Sequence, residues 1–385
     1  MLYLKWEDEV VGKIENNDRI KIEHRPPSAE RLLSMYASST ESFSPEEFKR
    51  FLQLRLISPQ RRDIGRILHR LGLREFNLFS IAEKTKAINP QDRFWITSDP
   101  NERYCEAVSS FFKTVLPCSR FSNDDFSLFS SPGGENIKTY GIYRGRFGIY
   151  KKRLYPTSSD IEAELAVYML CEEMGVQCCP IYRIDKDTIF SQYLYDYQSE
   201  CFAHFSSLLP DPAADDLCKE IISSSEITRF RLDVLPMLIV DFVTRQEDRH
   251  ANNFAVKYDS GGRIQFYPLY DNGRSLLYSE TAEGAKLAGG DVLGCALPFG
   301  HIGTTFTSIK KYYTPEEIRN ACHLDISSDR VKEILNESGF NSNDELSHAR
   351  YNGALSQICG ALAVLRDLSR LIRDEQQEFS SPSRG

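Results

Sequence analysis

The chain has 385 residues, enough for two or three domains or for one large unit with an added module. Its 41% hydrophobic and 26% charged content is ordinary for a globular protein, and a net charge of −8 argues against wholesale binding to nucleic acid or to an anionic membrane surface. No apolar run reaches transmembrane length, and the ten cysteines, which form no paired C-x-x-C pattern, are expected to be reduced thiols of a cytoplasmic protein.

Leu2, Leu4 and Trp6 alternate along a first strand, and residues 10–14 and 19–23 read as a hairpin turned at 15–18. Helices follow Pro26. Ser28 is a weak start signal, because Arg31 stands where a capping box needs an acid. Ser44, Pro45 and Glu47 make a full start signal, ahead of an apolar face of Phe48, Phe51, Leu52 and Leu56. Ser58-Pro59 repeats the signal before Ile64, Ile67, Leu68 and Leu71, and Gly72 ends that helix. Between Lys49 and Arg74 stand eight basic residues against one acid, Asp63. Such a stretch suits an acidic or nucleic-acid partner, although a solvated helix face paired with acids elsewhere is the favoured reading. Residues 92–96 close the helical stretch with an apolar segment expected to pack onto the next part of the chain. Residues 1–120 thus read as a mainly helical accessory module opened by strands, with a polar linker at 119–125.

Residues 126–138 read as strand, turn and strand around Gly133-Gly134, which alone means only a hairpin. The next strand, 146–151, places Phe147, Ile149 and Lys151 on one face, with Lys152 beside them. A helix runs from Asp160 to Gly175 with Ile161, Leu165, Tyr168, Met169 and Leu170 inward. A hairpin follows at 180–193, turned at 185–187, and residues 210–216 form a loop. The apolar stretch 229–244, with Pro236 inside, reads as a buried helix leading into Asp248. Residues 284–303, rich in Gly and Ala, are expected to be irregular. Helices return at 315–322, 328–338 and 351–373, before a frayed tail at 376–385.

The stretch from Asp248 to Asp271 carries the chemistry. Residues 253–258 and 263–270 read as two strands joined by the turn Asp259-Ser260-Gly261-Gly262. A hairpin brings its open ends together, so Asn253 and Asp271 lie close, with Asp248 on the loop feeding the same end. Two carboxylates and an amide oxygen suit a hard divalent ion such as Mg²⁺ carrying phosphate oxygens. An Asp, an Asn five residues later, a hairpin and a final Asp is also the order used by protein-kinase-like folds. There the first Asp orients and deprotonates the acceptor hydroxyl, and the Asn and last Asp hold metal. A lone His250 without a second His at ligand spacing reads as structural, and Arg249 as a loop anchor or a screen for phosphate charge.

Asp248-Arg249-His250-x-x-Asn253-Phe254, with the later Pro268-x-Tyr270-Asp271, resembles the HipA-like kinases of bacteria over roughly residues 130–370. Arg and His follow the Asp instead of preceding it, and Asn272 stands before Gly273 where ordinary kinases have Phe. The resemblance implies an α+β, two-lobed protein-kinase-like fold, with a small ATP-binding lobe at 126–195 and a helical catalytic lobe at 196–375. It implies ATP and Mg²⁺ as cofactors. It favours Lys151, with Lys152 as the alternative, as the lysine that reaches the phosphates. It places the partner acid at Glu164, Glu162 lying on another face, and the phosphate-covering turn at Gly133-Gly134. Autophosphorylation at Ser130 or Ser131 would put negative charge where ATP phosphates bind. The expected activity is transfer of the γ-phosphoryl group to a hydroxyl, of a protein Ser or Thr first. A lipid or small-molecule kinase, and a nucleotide sensor that binds nucleic acid without turnover, are the alternatives.

Overall fold

The structure is a computed structural model that describes residues 1–15, 19–61, 63–108, 137–195, 200–209, 217–223, 228–258, 263–293, 302–340 and 344–370. The chain divides into two compact units. One comprises Met1–Leu154, Tyr182–Leu208 and Ala255–Tyr267; the other comprises Tyr155–Ile181, Leu209–Phe254 and Pro268–Gly385.

The first unit opens with the expected strands. β1 (Leu2–Trp6) pairs antiparallel with β2 (Glu9–Ile14), and β2 with β3 (Ile20–Ile22), Ile14 opposite Ile20. β4 (Ser42–Phe43) and β5 (Phe94–Thr97) complete the sheet in the order β4-β3-β2-β1-β5. The segment expected only to pack onward therefore also returns to the start of the chain, setting Phe94 opposite Trp6. Trp95 does pack onward, into a buried cluster with Tyr140, Phe147 and Ile149.

Among the helices of this unit, α1 (Glu30–Tyr36) starts without a side-chain cap, and the Ser28 hydroxyl instead accepts the Trp6 indole N–H at 2.9 Å. α2 (Pro45–Arg55) carries the full capping box of Ser44 and Glu47. The repeat of that signal at Ser58 fails. α3 spans Ile64–Arg70, and Ser58 accepts Gln60 N–H within a turn. The third residue after Ser58 is Arg61, which cannot close a capping box. Its guanidinium turns inward to Asp63 (2.6 and 2.8 Å) and to the Lys138 carbonyl (3.0 Å). Gly72, at φ +70°, ends the helix as expected. α4 (Leu78–Thr85) follows, capped by Asn77.

Burial corrects part of the basic stretch. Arg55 donates to both Asp92 oxygens (2.6 and 2.8 Å) and to the carbonyls of Ala87 and Phe94. Arg55 and Arg61 are buried structural cations, not surface charges for a partner. β6 (Lys138–Tyr143), β7 (Arg146–Lys152), β8 (Ile181–Asp185) and β9 (Thr188–Gln192) form a second antiparallel sheet, in the order β6-β7-β9-β8. A third sheet sets β10 (Cys201–His204) beside the expected hairpin of β11 (Ala255–Tyr258) and β12 (Ile264–Phe266).

The second unit is helical. α5 (Asp160–Met174) ends at Gly175, φ +70°, as expected, and α6 (Leu217–Ser223) follows. α7 (Arg231–Thr244) contains Pro236 and is buried along most of its length. Residues 282–290 form α8 (Ala282–Gly290), where an irregular segment was expected. Thr281 caps it, and its small residues serve close packing: a Cβ on Gly353 would stand 2.7 Å from the Ala285 carbonyl. α9 (Ile302–Tyr312), which the sequence did not announce, precedes α10 (Pro315–Ala321) and α11 (Ser328–Glu337). α12 (Glu345–Arg370) begins six residues before its expected start at 351. No helix of the described residues is long and apolar enough to cross a membrane, and the cysteines among them are free thiols.

Candidate active site

α7 delivers the loop. Its residues from Met237 to Thr244 are buried, and the chain leaves it through Arg245 in the left-handed conformation, φ +51°. Gln246 then grips both halves of the site. Its Oε1 accepts the Asp248 N–H at 2.9 Å, and its Nε2 donates to the Asp271 carbonyl at 3.4 Å. The loop folds tightly onto itself, with Asn253 Nδ2 donating to the Asp248 carbonyl at 2.7 Å. With its nitrogen so engaged, the Asn253 amide turns Oδ1 the other way, as an acceptor for something else.

Arg249 is the hub. All five of its N–H directions are used. Nε and Nη2 reach the Asp241 carboxylate on α7 (2.9–3.2 Å). Nη1 donates to the carbonyls of Asn253 (2.7 Å) and Tyr270 (3.0 Å), and Nη2 also donates to Asn272 Oδ1 (2.6 Å). Arg249 and Asp241 are both nearly buried. Burial alone would lower the Arg249 pKa; the Asp241 carboxylate outweighs it and holds the guanidinium charged. One cation thus ties helix, loop and hairpin exit together, as the anchor expected of Arg249.

Asn272, in the place of the usual Phe, is buried and polar. Its backbone N–H donates to Glu164 Oε2 at 3.1 Å, its Oδ1 accepts Arg249, and its Nδ2 meets Cys178 Sγ at 3.7 Å. Gly273 presses on the same helix, where a Cβ would stand 3.3 Å from Glu164 Cγ. Asp271 adopts φ +57°, a left-handed conformation that Asp tolerates better than most residues.

Asp248, Asn253, Asp271 and Glu164 all belong to the second unit, linked through Gln246, Arg249 and Asn272. Asp248 is a third exposed, flanked by Arg274 Nε at 3.5 Å from Oδ2 and by His250 Nε2 at 3.9 Å from Oδ1. Lys151 lies in the first unit, buried, on the β7 face shared with Phe147 and Ile149. Gly133, Gly134, Ser130 and Ser131 lie outside the described residues.

Asp241, Gln246 and Arg274 were not singled out from the sequence, and Asn272 stood out only as the replacement for the usual Phe, with no contact assigned to it. Asp241 had a signal: a lone acid inside an apolar helix is expected to have a buried partner. Below the loop, Arg245 is fully buried with Nε and Nη2 lacking a hydrogen-bond partner. The neighbouring Glu247 carboxyl is pushed up to about 7 by burial and by Glu280, against the pull of Arg245 and Arg274.

Among the described residues no group of three or more His, Cys, Asp or Glu is arranged to hold an ion by itself. The donors present, one amide oxygen and one carboxylate, are hard oxygens. They fit Mg²⁺, which keeps water and phosphate oxygens in its shell and takes few protein ligands. Asn253 and Asp271 would hold it.

No protein-family model and no curated protein matches the sequence. Among solved structures, the chain is similar to the proinflammatory kinase CtkA of Helicobacter pylori, at 14% identity over 62% of this chain and 95% of that one, with a TM-score of 0.47. It is also similar to HipA of Shewanella oneidensis MR-1, solved in a toxin–antitoxin complex with HipB and operator DNA. That match has 11% identity over 97% of this chain and 99% of that one, with a TM-score of 0.51. The chain has the HipA-like kinase fold.

Proposed function

We propose that this protein is an ATP-dependent kinase that transfers the γ-phosphoryl group to a hydroxyl, of a protein Ser or Thr in the first instance. The observation that carries the reading is the Arg249 hub. It binds the backbone of Asn253 and of Tyr270, one residue before Asp271, within a loop that also fixes Asp248. Asp248, partly exposed and held by its backbone, would accept the proton of the acceptor hydroxyl as that oxygen bonds to the γ-phosphorus and the bond to the β-phosphate oxygen breaks, releasing ADP. Asn253 and Asp271 would hold Mg²⁺, which when bound supplies charge neutralisation for the phosphates. Lys151 and the Gly133-Gly134 turn would position the phosphates. Glu164 would partner Lys151 while also accepting the Asn272 N–H. Catalysis of this kind rests on positioning and charge more than on covalent chemistry.

Autophosphorylation at Ser130 or Ser131 belongs to the same proposal. The antitoxin and DNA of the HipA complex are that protein's partners. Here, burial of Arg55 and Arg61 weakens the case for a nucleic-acid partner on the stretch from Lys49 to Arg74.

The test is incubation with Mg²⁺ and ATP labelled on its γ-phosphate, with a panel of protein, lipid and small-molecule acceptors. Transfer by wild type, reduced about 10³-fold or more in Asp248→Asn and Asp271→Asn, is the expected result. Transfer only to lipid or small-molecule acceptors would redirect the substrate class. Asp271-dependent ATP binding without transfer to any acceptor would favour a sensor.

A further inference from the structure

Asp248 does not stand alone. Its Oδ2 faces Arg274 Nε at 3.5 Å, and the Arg274 carbonyl accepts the N–H of Glu247, the residue before Asp248, at 3.0 Å. Arg274 is therefore fixed by its backbone to the loop that carries the base. Gly273, beside it, is pinned against α5, and Asp271 lies only three residues back. The side chain is differently placed. The Arg245 side chain is fully buried and that of Arg249 nearly so, while a third of the Arg274 side chain is open to solvent.

The distance matters. A charge-assisted N–H···O⁻ bond closes to about 2.7–2.9 Å. At 3.5 Å the two groups attract each other without being locked in one geometry. A hydroxyl that donates to Asp248 would have its oxygen about 2.7 Å from the carboxylate, with the phosphorus it attacks in line beyond it. A cation on the flank of the same carboxylate is then within side-chain reach of the phosphoryl oxygens. The planar fork of an arginine matches such oxygens better than a point charge does. His250, on the other flank at 3.9 Å and half exposed, is the weaker competitor, being charged only when protonated.

We propose that Arg274 is a further catalytic residue of this site, which steadies the Asp248 carboxylate and pairs with the terminal phosphoryl group as it leaves the nucleotide. The inference rests on the kinase reading for its chemistry, but its phosphate contact can be read without turnover. Asp248 supplies the base and Arg274 supplies charge; no proton leaves the guanidinium.

The experiment uses the full chain with Mg²⁺, measuring ATP and ADP affinities by titration calorimetry alongside labelled-phosphate transfer. Arg274→Ala is expected to lower turnover about 10²-fold, the scale of losing one preorganised charge contact. It should weaken ATP about tenfold and leave ADP unchanged, the scale of one lost charge-assisted hydrogen bond. Arg274→Lys should recover part of both. A wild-type ratio of ATP to ADP affinity in Arg274→Ala would overturn the proposal, whatever happens to turnover, because a residue that only steadies Asp248 does not distinguish the two nucleotides. Absence of transfer by wild type would instead sink the kinase reading, and the affinity ratio would still decide whether Arg274 holds the terminal phosphate. If Arg274→Ala does not fold, Arg274→Gln is read by the same ratio.

Discussion

Each unit contains a buried arginine clamped by a buried aspartate. Arg55 binds both oxygens of Asp92 and two backbone carbonyls, and its guanidinium lies 4.6 Å from the centre of the Phe51 ring. Arg249 binds both oxygens of Asp241, two backbone carbonyls and the Asn272 side chain. The clamps are alike in chemistry and differ in what they leave outside. Around Arg55 the neighbours are aromatic and buried. Around Arg249 the backbone it grips carries Asp248 and Asp271, both partly exposed. A buried ion pair is thus poor evidence of function by itself; the partly exposed carboxylates carried by the backbone it holds are the signal.

Removing either clamp should cost most. Arg55→Ala and Arg249→Ala are each expected to lose about 4 kcal/mol in urea denaturation, because an unpaired buried carboxylate remains. The comparison sharpens in turnover per folded molecule, which Arg55→Ala should preserve and Arg249→Ala should abolish. Equal turnover in the two variants would break the distinction. Asn272→Phe, restoring the residue of ordinary kinases, should cost about 3 kcal/mol by overpacking and by leaving an Arg249 N–H without an acceptor. The loss should appear together with reduced transfer.

Glu247 adds a pH dependence to the second unit. Its folded pKa, about 7, lies above its ordinary 4.5, so the native chain keeps a proton that the unfolded chain releases. This contribution is fully present below about pH 4.5 and is lost as pH rises through 7. Glu247→Gln should flatten the decline, a difference on the order of 2 kcal/mol at pH 8. An unchanged slope between pH 5 and 8 would exclude it. Smallest is Glu317, held down to about 2 by Arg231 and by the capping contacts of Thr314. Its stabilisation is present above about 4.5 and is lost as pH falls through 2. Glu317→Ala should therefore cost about 1 kcal/mol at pH 7, since the pair is partly exposed, and less as the solution is acidified.

The elements that could be read from the sequence were those fixed by near neighbours. The opening hairpin, the capping box at Ser44 and the helix closing at Gly175 are settled within a few residues, and so is the hairpin after Asn253. What stayed hidden depends on distant ones. Pairing of β1 with β5 spans some ninety residues, and the helix at 282–290 uses Gly289 to approach Gly353, not to break. At the site, Asp248, Asn253 and Asp271 stand in a recognisable order. Asp241, Gln246 and Asn272 act only through contacts that the order does not encode.

The first unit is assembled from three separate stretches of chain, the last of them ending at Tyr267. On a ribosome adding about 5–20 residues per second, its first residues wait roughly 15–50 s for the strands that complete it. During that interval the sheet of β1 is already closed by β5, whereas β10 is made before its partner β11 and shows an unpaired edge, the kind of surface on which nascent chains aggregate. Expression yield should therefore respond to chaperone supply and to translation speed more strongly than the stability of the finished protein would suggest.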